Sequence, residues 1–425
     1  MAPTLRKLPP SESLVTWLTN SSEQSSTTTP SGSPQPSSAS SLQSPLPHAP
    51  SSSDHRRKTL KEATITKMPE VEEIADLYLH RPLAGYLVWL LVRLPFRITP
   101  TQITWTSLIT GVIGSLFIYG GFSTGVNVPV PSFAQPFLSA YLPVLASALP
   151  NDLVPQFVHP VAVARDTLNF PPSLCFLVAA LFVLMTCVID CADGQYARAT
   201  GTGSFIGRIS DGVVDMLNIM ALSLSFISGM ALRYGTWGFV CAAASCMCMQ
   251  QHALVYDKMK NAFVLHLRSE PELAVKTEDV LEMYKKAKSE RRVYDTLILG
   301  FACYYVDTAY MNVIPSEDPE KRMAFRNANS LSMRMAAYLG IGTGNAIWYT
   351  SLALAAFIPS APWLLIIMNC VVLVILNIAV RLRTKHTLPN HCQLNFWNQE
   401  APPMRGFFLL AVGYYIYLRY MGYFD

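Results

Sequence analysis

The chain has 425 residues, of which 51% are hydrophobic and only 14% are charged. Soluble proteins carry about 25% charged residues, and several apolar stretches here approach the roughly 20 residues that cross a bilayer as a helix. The formal net charge of +4 is spread without a dense basic stripe, which excludes a nucleic-acid-binding protein. Composition therefore predicts an all-α, polytopic membrane protein that is embedded in a lipid bilayer.

The N-terminal part divides into two segments. Residues 1–67 are rich in Ser and Pro, with few large apolar side chains. Such a composition cannot bury a core, so this segment is predicted to be a disordered tail. Residues 68–100 contain acids and then an apolar half with aromatic residues, Arg93 and Arg97. That mixture is typical of a helix lying in the membrane interface.

The membrane domain is predicted to cover residues 101–385 and to contain six core transmembrane helices. Their expected bounds are Ile103–Ile118, Pro172–Ile189, Ser204–Leu232, Thr236–Val255, Arg334–Ile358 and Trp363–Val380. Residues 269–329 form a charged and polar insertion. Its first part, Ser269–Arg292, is predicted to be a solvated helix. In the C-terminal segment, residues 386–425, the apolar stretch Gly406–Leu418 is either interfacial or a short seventh helix.

Basic residues predict the orientation of this bundle. If six spans alternate, the basic clusters Arg56–Lys67, Lys258–Arg292 and Arg381–Lys385 all lie on the side of the N-terminus. The connections on the other side hold only two arginines. The positive-inside rule therefore predicts a cytosolic N-terminus. In a eukaryote we expect the endoplasmic reticulum or another endomembrane.

Four aspartates lie between two uncharged apolar runs, Pro172–Ile189 and Met216–Leu232. They are Asp190, Asp193, Asp211 and Asp215. An aspartate near the bilayer centre costs about 2.5–3.5 kcal/mol on insertion scales, so something cationic should meet them. Arg198 and Arg208 are too few to do so. The orientation above places this stretch at the cytosolic face.

The spacing of the aspartates predicts two carboxylate pairs. Asp190 and Asp193 are three residues apart, and Asp211 and Asp215 are four apart, so each pair shares one helix face. Oxygen-only ligands suit Mg²⁺ or Mn²⁺. Four carboxylates can hold two such ions, and paired divalent ions favour displacement at phosphorus.

The aspartate stretch resembles the signature of the CDP-alcohol phosphotransferase family, D-x2-D-G-x2-A-R, eight residues, then G-x3-D-x3-D. The matching positions are Asp190, Asp193, Gly194, Ala197, Arg198, Gly207, Asp211 and Asp215. The family also tends to carry T-P-N-x-[VI]-T at the first span. Here Thr99–Thr104 matches it with Thr101 in place of Asn. The resemblance covers about residues 70–385.

This resemblance implies a chemistry. A CDP-linked donor would bind with its pyrophosphate on two metal ions, Mg²⁺ or Mn²⁺, an alcohol acceptor would attack the phosphorus, and CMP would leave. A homodimer is also implied. The implied roles are metal binding for Asp190, Asp193, Asp211 and Asp215, a general base at Asp215, and contact with the CDP moiety for Gly194, Ala197 and Arg198.

The sequence leaves two combinations of donor and acceptor open. CDP-diacylglycerol could donate to a small polar alcohol such as inositol, inositol phosphate, serine or glycerol phosphate. Alternatively, CDP-choline or CDP-ethanolamine could donate to diacylglycerol or another lipid hydroxyl. The T-G-T-G-S run after Arg198, and Gly212 where aminoalcohol transferases usually show His, favour the first version. Arg326 and Arg334 either hold an acceptor phosphate or are ordinary cytosolic flanking charges.

A cation transporter built on intramembrane acids is the alternative from a different class. It predicts acids along several helices, and the other predicted spans are nearly free of them. Release of CMP distinguishes the two hypotheses.

Overall fold

The computed structural model describes residues 71–95, 98–129, 163–164, 167–268, 277–309 and 318–384, with 412–413, 416 and 419–420. The predicted tail and nearly all of the predicted C-terminal segment lie outside these residues. Disorder of the tail and a short seventh helix at Gly406–Leu418 therefore stay predictions.

The described chain is a bundle of helices, as the sequence predicts. In order they are α1 (Arg81–Arg93, after a π-helical turn at Asp76–His80), α2 (Pro100–Phe122), α3 (Pro172–Thr200), α4 (Phe205–Arg268), α5 (Thr277–Ser289), α6 (Val293–Ala309), α7 (Pro319–Ala336), α8 (Ile341–Ala355), α9 (Pro362–Ile367) and α10 (Leu373–Thr384). A 3₁₀ turn, Ala337–Leu339, follows α7, and a π-helical turn, Met368–Val372, joins α9 to α10.

Among the described residues, four helical stretches are long and apolar enough, by length and composition, to cross a membrane. They are Pro100–Phe122, Pro172–Thr200, Phe205–Val264 and Pro362–Thr384. The third consists of two arms, because Gly235 has φ 63° and ψ −151° and interrupts α4 where the sequence predicts a turn. A side chain would strain this backbone. The protein is therefore an integral membrane helix bundle.

The predicted fifth span begins later than expected. Arg334 belongs to α7, and α8 starts only at Ile341 and has 15 residues. The helix breaks because a distant carboxyl group occupies its start: Glu73 Oε2 accepts a hydrogen bond of 2.8 Å from the Thr343 amide. A Cβ at Gly340 would lie only 2.1 Å from the Glu73 carboxyl carbon.

The connection between α2 and α3 contains a small antiparallel sheet, which the all-α prediction did not include. Its strands are β1 (Val126–Pro129), β2 (Val163–Ala164) and β3 (Thr167–Phe170), in the order β1-β3-β2. Val126 pairs with Phe170 in the register. The sheet lies before α3, at the opposite end of that helix from the aspartates.

The main core lies between α2, α3, α4 and α8. Phe122 contacts Phe176 and Phe226 edge to face, and Phe226 contacts Trp348 in the same way. A second cluster, which includes Val88, packs α1 against the part of α3 that carries the aspartates. Large apolar side chains on the outside of the bundle include Ile109, Leu116, Leu181 and Ile375. Such an exterior suits contact with lipid.

Candidate active site

Two consecutive helices supply the aspartates. Asp190 and Asp193 lie near the end of α3, residues 201–204 link the helices, and Asp211 and Asp215 lie in the first turns of α4. One carboxylate oxygen from each of Asp190, Asp193 and Asp211 lies within 4.8 Å of the others. Asp215 faces the carboxyl group of Asp190. The structure thus brings together both pairs.

The donor set fits a divalent cation. Asp190 Oδ1 and Asp211 Oδ1 are buried and have no hydrogen-bond partner among the described residues. Leaving a buried carboxylate without a partner is costly, and close carboxylates repel one another. Hard oxygen ligands of this kind are those that Mg²⁺ and Mn²⁺ prefer. The aspartate cluster could therefore hold a metal ion.

A cavity of about 300 Å³ adjoins the cluster, and all four aspartates line it. Of the three residues expected to contact the CDP moiety, Gly194 and Arg198 also line the cavity, whereas Ala197 is not among its lining residues. A Cβ at Gly194 would lie 3.4 Å from Arg198 Nη1, an ordinary van der Waals distance, so the glycine lies directly beside the guanidinium.

Comparison with protein families matches residues 157–266 to the family model of CDP-alcohol phosphatidyltransferase. The chain carries a CDP-alcohol phosphatidyltransferase domain. The matched residues include all four aspartates and most of α3 and α4. Neither the curated proteins nor the solved structures gave a match. The match supports a membrane phosphotransferase of phospholipid synthesis, and members of this family use a divalent metal ion.

A threonine outside the matched residues, to which the sequence assigns no role, also contacts the aspartate cluster. Thr104 Oγ1 donates a hydrogen bond of 2.5 Å to Asp193 Oδ2. A capping box formed by Thr99 and Gln102 starts α2 at Pro100 and so fixes the position of Thr104. The sequence does contain a signal for it, because Thr104 is the last residue of the T-P-N-x-[VI]-T pattern, which the chain matches except at Thr101.

Acids from the segment before α1 line the same cavity. They are Glu72, Glu73 and Asp76. Glu72 forms an ion pair of 2.7 Å with Arg81, which also lines the cavity, and Asp76 contacts His80 Nδ1 at 2.7 Å. The sequence shows these acids, but it gave no reason to bring them to the aspartates rather than to the membrane interface.

Further residues near the site come from the second arm of α4 and from the insertion predicted at residues 269–329. Asp257 and Lys260 line the cavity, but Arg326 and Arg334 are not among its lining residues, and their acceptor role stays a prediction. In the insertion, the Tyr294 hydroxyl contacts Ser210 Oγ at 2.8 Å. That contact attaches the insertion to the residue immediately before Asp211.

Proposed function

We propose that this protein is an integral membrane transferase that moves a substituted phosphate from a CDP-linked donor to an alcohol and releases CMP. The observation that carries the proposal is the convergence of four aspartates on one cavity, with two buried carboxylate oxygens that lack partners among the described residues. The preferred donor is CDP-diacylglycerol, with a small polar alcohol as acceptor. Transfer from CDP-choline or CDP-ethanolamine to a lipid hydroxyl is the alternative.

The reaction balances without a redox partner. The acceptor oxygen forms a bond to the donor's phosphorus, and the bond from that phosphorus to the CMP oxygen breaks. CMP leaves with the electron pair, and the acceptor's proton passes to Asp215, whose carboxylate is the general base. Two bound Mg²⁺ or Mn²⁺ ions, held by the four aspartates, would neutralise charge on the diphosphate.

Three further residues orient the aspartates or contact the donor. Thr104 fixes one oxygen of Asp193 through its hydroxyl group, so that the other oxygen stays directed into the cluster. Arg198 lines the cavity, where its guanidinium can donate to phosphate oxygens. Gly194 lies beside this guanidinium in the wall of the cavity.

The proposal includes an orientation, a location and an assembly in the membrane. The basic loops favour a cytosolic N-terminus and a cavity that is open to cytosolic CDP-linked substrates. An endomembrane such as the endoplasmic reticulum is the expected location in a eukaryote, and a homodimer is the expected assembly.

The central prediction concerns Asp211. In lipid nanodiscs, the wild-type protein should release CMP from a CDP-linked donor only when Mg²⁺ or Mn²⁺ is present. Asp211→Asn should lower this release by more than about 100-fold, since loss of even an outer partner of a metal ligand typically costs 10–100-fold. The matched control is Asp318→Asn, which neutralises an acid outside the cavity and keeps a residue that can cap α7.

Retained CMP release in Asp211→Asn would reject the two-metal site. Cation flux without CMP release from any donor would instead favour the transporter. A panel of donors and acceptors decides the substrates: product from radiolabelled CDP-choline and diacylglycerol, with none from CDP-diacylglycerol and any polar alcohol, would reverse the preferred donor.

A further inference from the structure

The cavity continues from the aspartates toward the middle of the bundle. There it is lined by Val183 of α3, by Asn218 and Leu222 of α4, and by Asn345 of α8. These four residues define the inner end of the cavity. Asn218 lies three residues beyond Asp215, so it is about one helical turn deeper than the proposed general base.

Asn218 is the polar group in the inner end that most needs a partner. Its side chain is buried, with 4% of the residue exposed, and neither its amide nitrogen nor its amide oxygen is hydrogen-bonded to any described residue. Gly111 of α2 makes room for it, because a Cβ there would lie 2.2 Å from Asn218 Oδ1. A buried amide without a partner is unfavourable, so a bound group is expected to supply one.

Asn345 provides a second amide from another helix. Its Oδ1 is also buried and without a hydrogen-bond partner among the described residues. The other two residues of the inner end, Val183 and Leu222, are apolar. An uncharged amide both donates and accepts, as a hydroxyl group does, so this setting matches a neutral alcohol group.

The charge of the whole cavity also favours an acceptor without a charge of its own. Eight carboxyl groups but only three cationic side chains line it, and one of the cations, Arg81, is paired with Glu72. With Glu73 protonated, four excess negative charges remain, which two divalent ions would offset, and the donor's diphosphate would make the cavity negative again. An acceptor with its own phosphate would thus enter a negative field in which Lys260 is, among the described lining residues, the one cation not assigned to Glu72 or to the diphosphate.

We propose that the acceptor of this transferase is an uncharged alcohol, whose hydroxyl region is bound by Asn218 and Asn345 at the inner end, next to Asp215. This inference rests on the proposed function and narrows its acceptor. It includes a polyol such as inositol and the hydroxyl of a lipid such as diacylglycerol. It excludes inositol phosphate, glycerol phosphate and serine.

The first experiment compares acceptors with the full-length protein in nanodiscs. CDP-diacylglycerol is supplied with inositol, inositol phosphate, glycerol phosphate or serine, and CDP-choline or CDP-ethanolamine with diacylglycerol. We expect lipid product only in an arm with an uncharged acceptor, and the productive arm identifies whether that acceptor is the polyol or the lipid. A charged acceptor as the best substrate overturns the inference while leaving the proposed function intact. CMP release in no arm rejects the proposed function itself.

The second experiment changes Asn218 and its surroundings. Asn218→Leu keeps the size but removes both hydrogen-bonding atoms, so the acceptor KM should rise about tenfold or more, with the donor KM unchanged. Gly111→Ala should raise the acceptor KM in the same direction, because it displaces the Asn218 amide. Asn345→Ala, which changes the amide supplied by α8, should also raise the acceptor KM.

The control is Asn329→Leu, which removes a buried asparagine of α7 that donates to the Phe325 carbonyl and does not line the cavity. It should lower the thermal unfolding temperature without changing the acceptor KM. Asn218→Leu should show the opposite behaviour, with an unchanged or higher unfolding temperature. If Asn218→Leu does not fold, the other two variants decide, and an acceptor KM that none of the folded variants changes overturns the inference.

Discussion

Thr104 shows that the order of the aspartate cluster depends on a side chain outside it. Its hydroxyl group also lies 3.1 Å from the Pro100 carbonyl, so it connects the first turn of α2 to Asp193. Thr104→Val keeps the shape and removes the hydrogen bond. We predict that CMP release falls about 10–100-fold and needs more Mg²⁺, as expected when a partner of a metal ligand is lost. Titration of activity with Mg²⁺ measures both effects.

Thr106→Val is the matched control for this prediction. Thr106 lies two residues further along α2 and therefore on a different face of the helix, and its hydroxyl donates to the Gln102 carbonyl at 2.8 Å. It should leave the Mg²⁺ requirement unchanged. An unaltered Mg²⁺ titration in Thr104→Val would show that Asp193 is oriented without the threonine.

Single residues of the site differ in how far the sequence could predict them. The aspartates were predictable because their spacing of three and four residues is a local property of a helix. Asn218 was not, because an asparagine in an apolar helix has no diagnostic spacing. Its importance depends on Gly111 from another helix and on the cavity between α3, α4 and α8.

At the scale of elements, the insertion at residues 269–329 supports the site through α5 and α6. Helices α5 and α6 bury a small apolar cluster that includes Val280 and Leu299, and Phe205 and Ile209 from the start of α4 pack against it. The sequence predicts a solvated helix here. The Lys side chains of α5 are indeed exposed, but its other side is buried against α6. A role in holding the first turn of α4 was not visible because it depends on contacts between distant parts of the chain.

Tyr294 makes this support testable. Its hydroxyl contacts Ser210 Oγ at 2.8 Å and accepts a hydrogen bond of 3.3 Å from Trp105 Nε1. Tyr294 therefore connects α6 to α4, which carries Ser210, and to α2, which carries Trp105. Tyr294→Phe removes both contacts. We predict a loss of stability of about 1–2 kcal/mol, since each hydrogen bond contributes about 1 kcal/mol, and activity that requires a few-fold higher Mg²⁺ concentration.

Thermal unfolding and Mg²⁺ titration measure these two effects. Tyr78→Phe, which removes a hydroxyl group from a ring that is 75% exposed, is the control and should change neither. If Tyr294→Phe also changes neither, the insertion does not support α4 through this side chain.

For the whole molecule, the predictable features were those that a stretch of about 20 residues determines. Apolar runs predicted the start of α3 at Pro172 and the turn at Gly235. The sheet and the late start of α8 were not predictable in this way. The start of α8 is set by Glu73, which is 270 residues away from Thr343 in the sequence. Glu73 thereby attaches the segment before α1 to the membrane domain.

The attachment through Glu73 predicts how stability depends on pH. Glu73 lies outside the spanning helices, and its burial raises its pKa well above the ordinary value of 4.5. The nearby Asp76 and Asp257 raise the pKa further, whereas the Thr343 amide and Lys260 oppose the shift. Because the pKa is higher in the folded state, protonation of Glu73 favours folding. Its contribution is complete below about pH 4.5 and is lost as the pH rises through the raised pKa.

Glu73→Gln should remove this dependence, because glutamine stays neutral and keeps an oxygen that can accept from the Thr343 amide. Above pH 4.5, the free energy of unfolding of the wild-type protein should fall relative to the variant by up to about 1.4 kcal/mol per pH unit. Thermal unfolding in nanodiscs between pH 4.5 and pH 9 measures the difference, with the exposed Glu320→Gln as control. Parallel curves for the wild-type protein and Glu73→Gln would mean that Glu73 is ionised in the folded state. The segment before α1 would then be held to α8 by a charge at the helix N-terminus rather than by a neutral hydrogen bond.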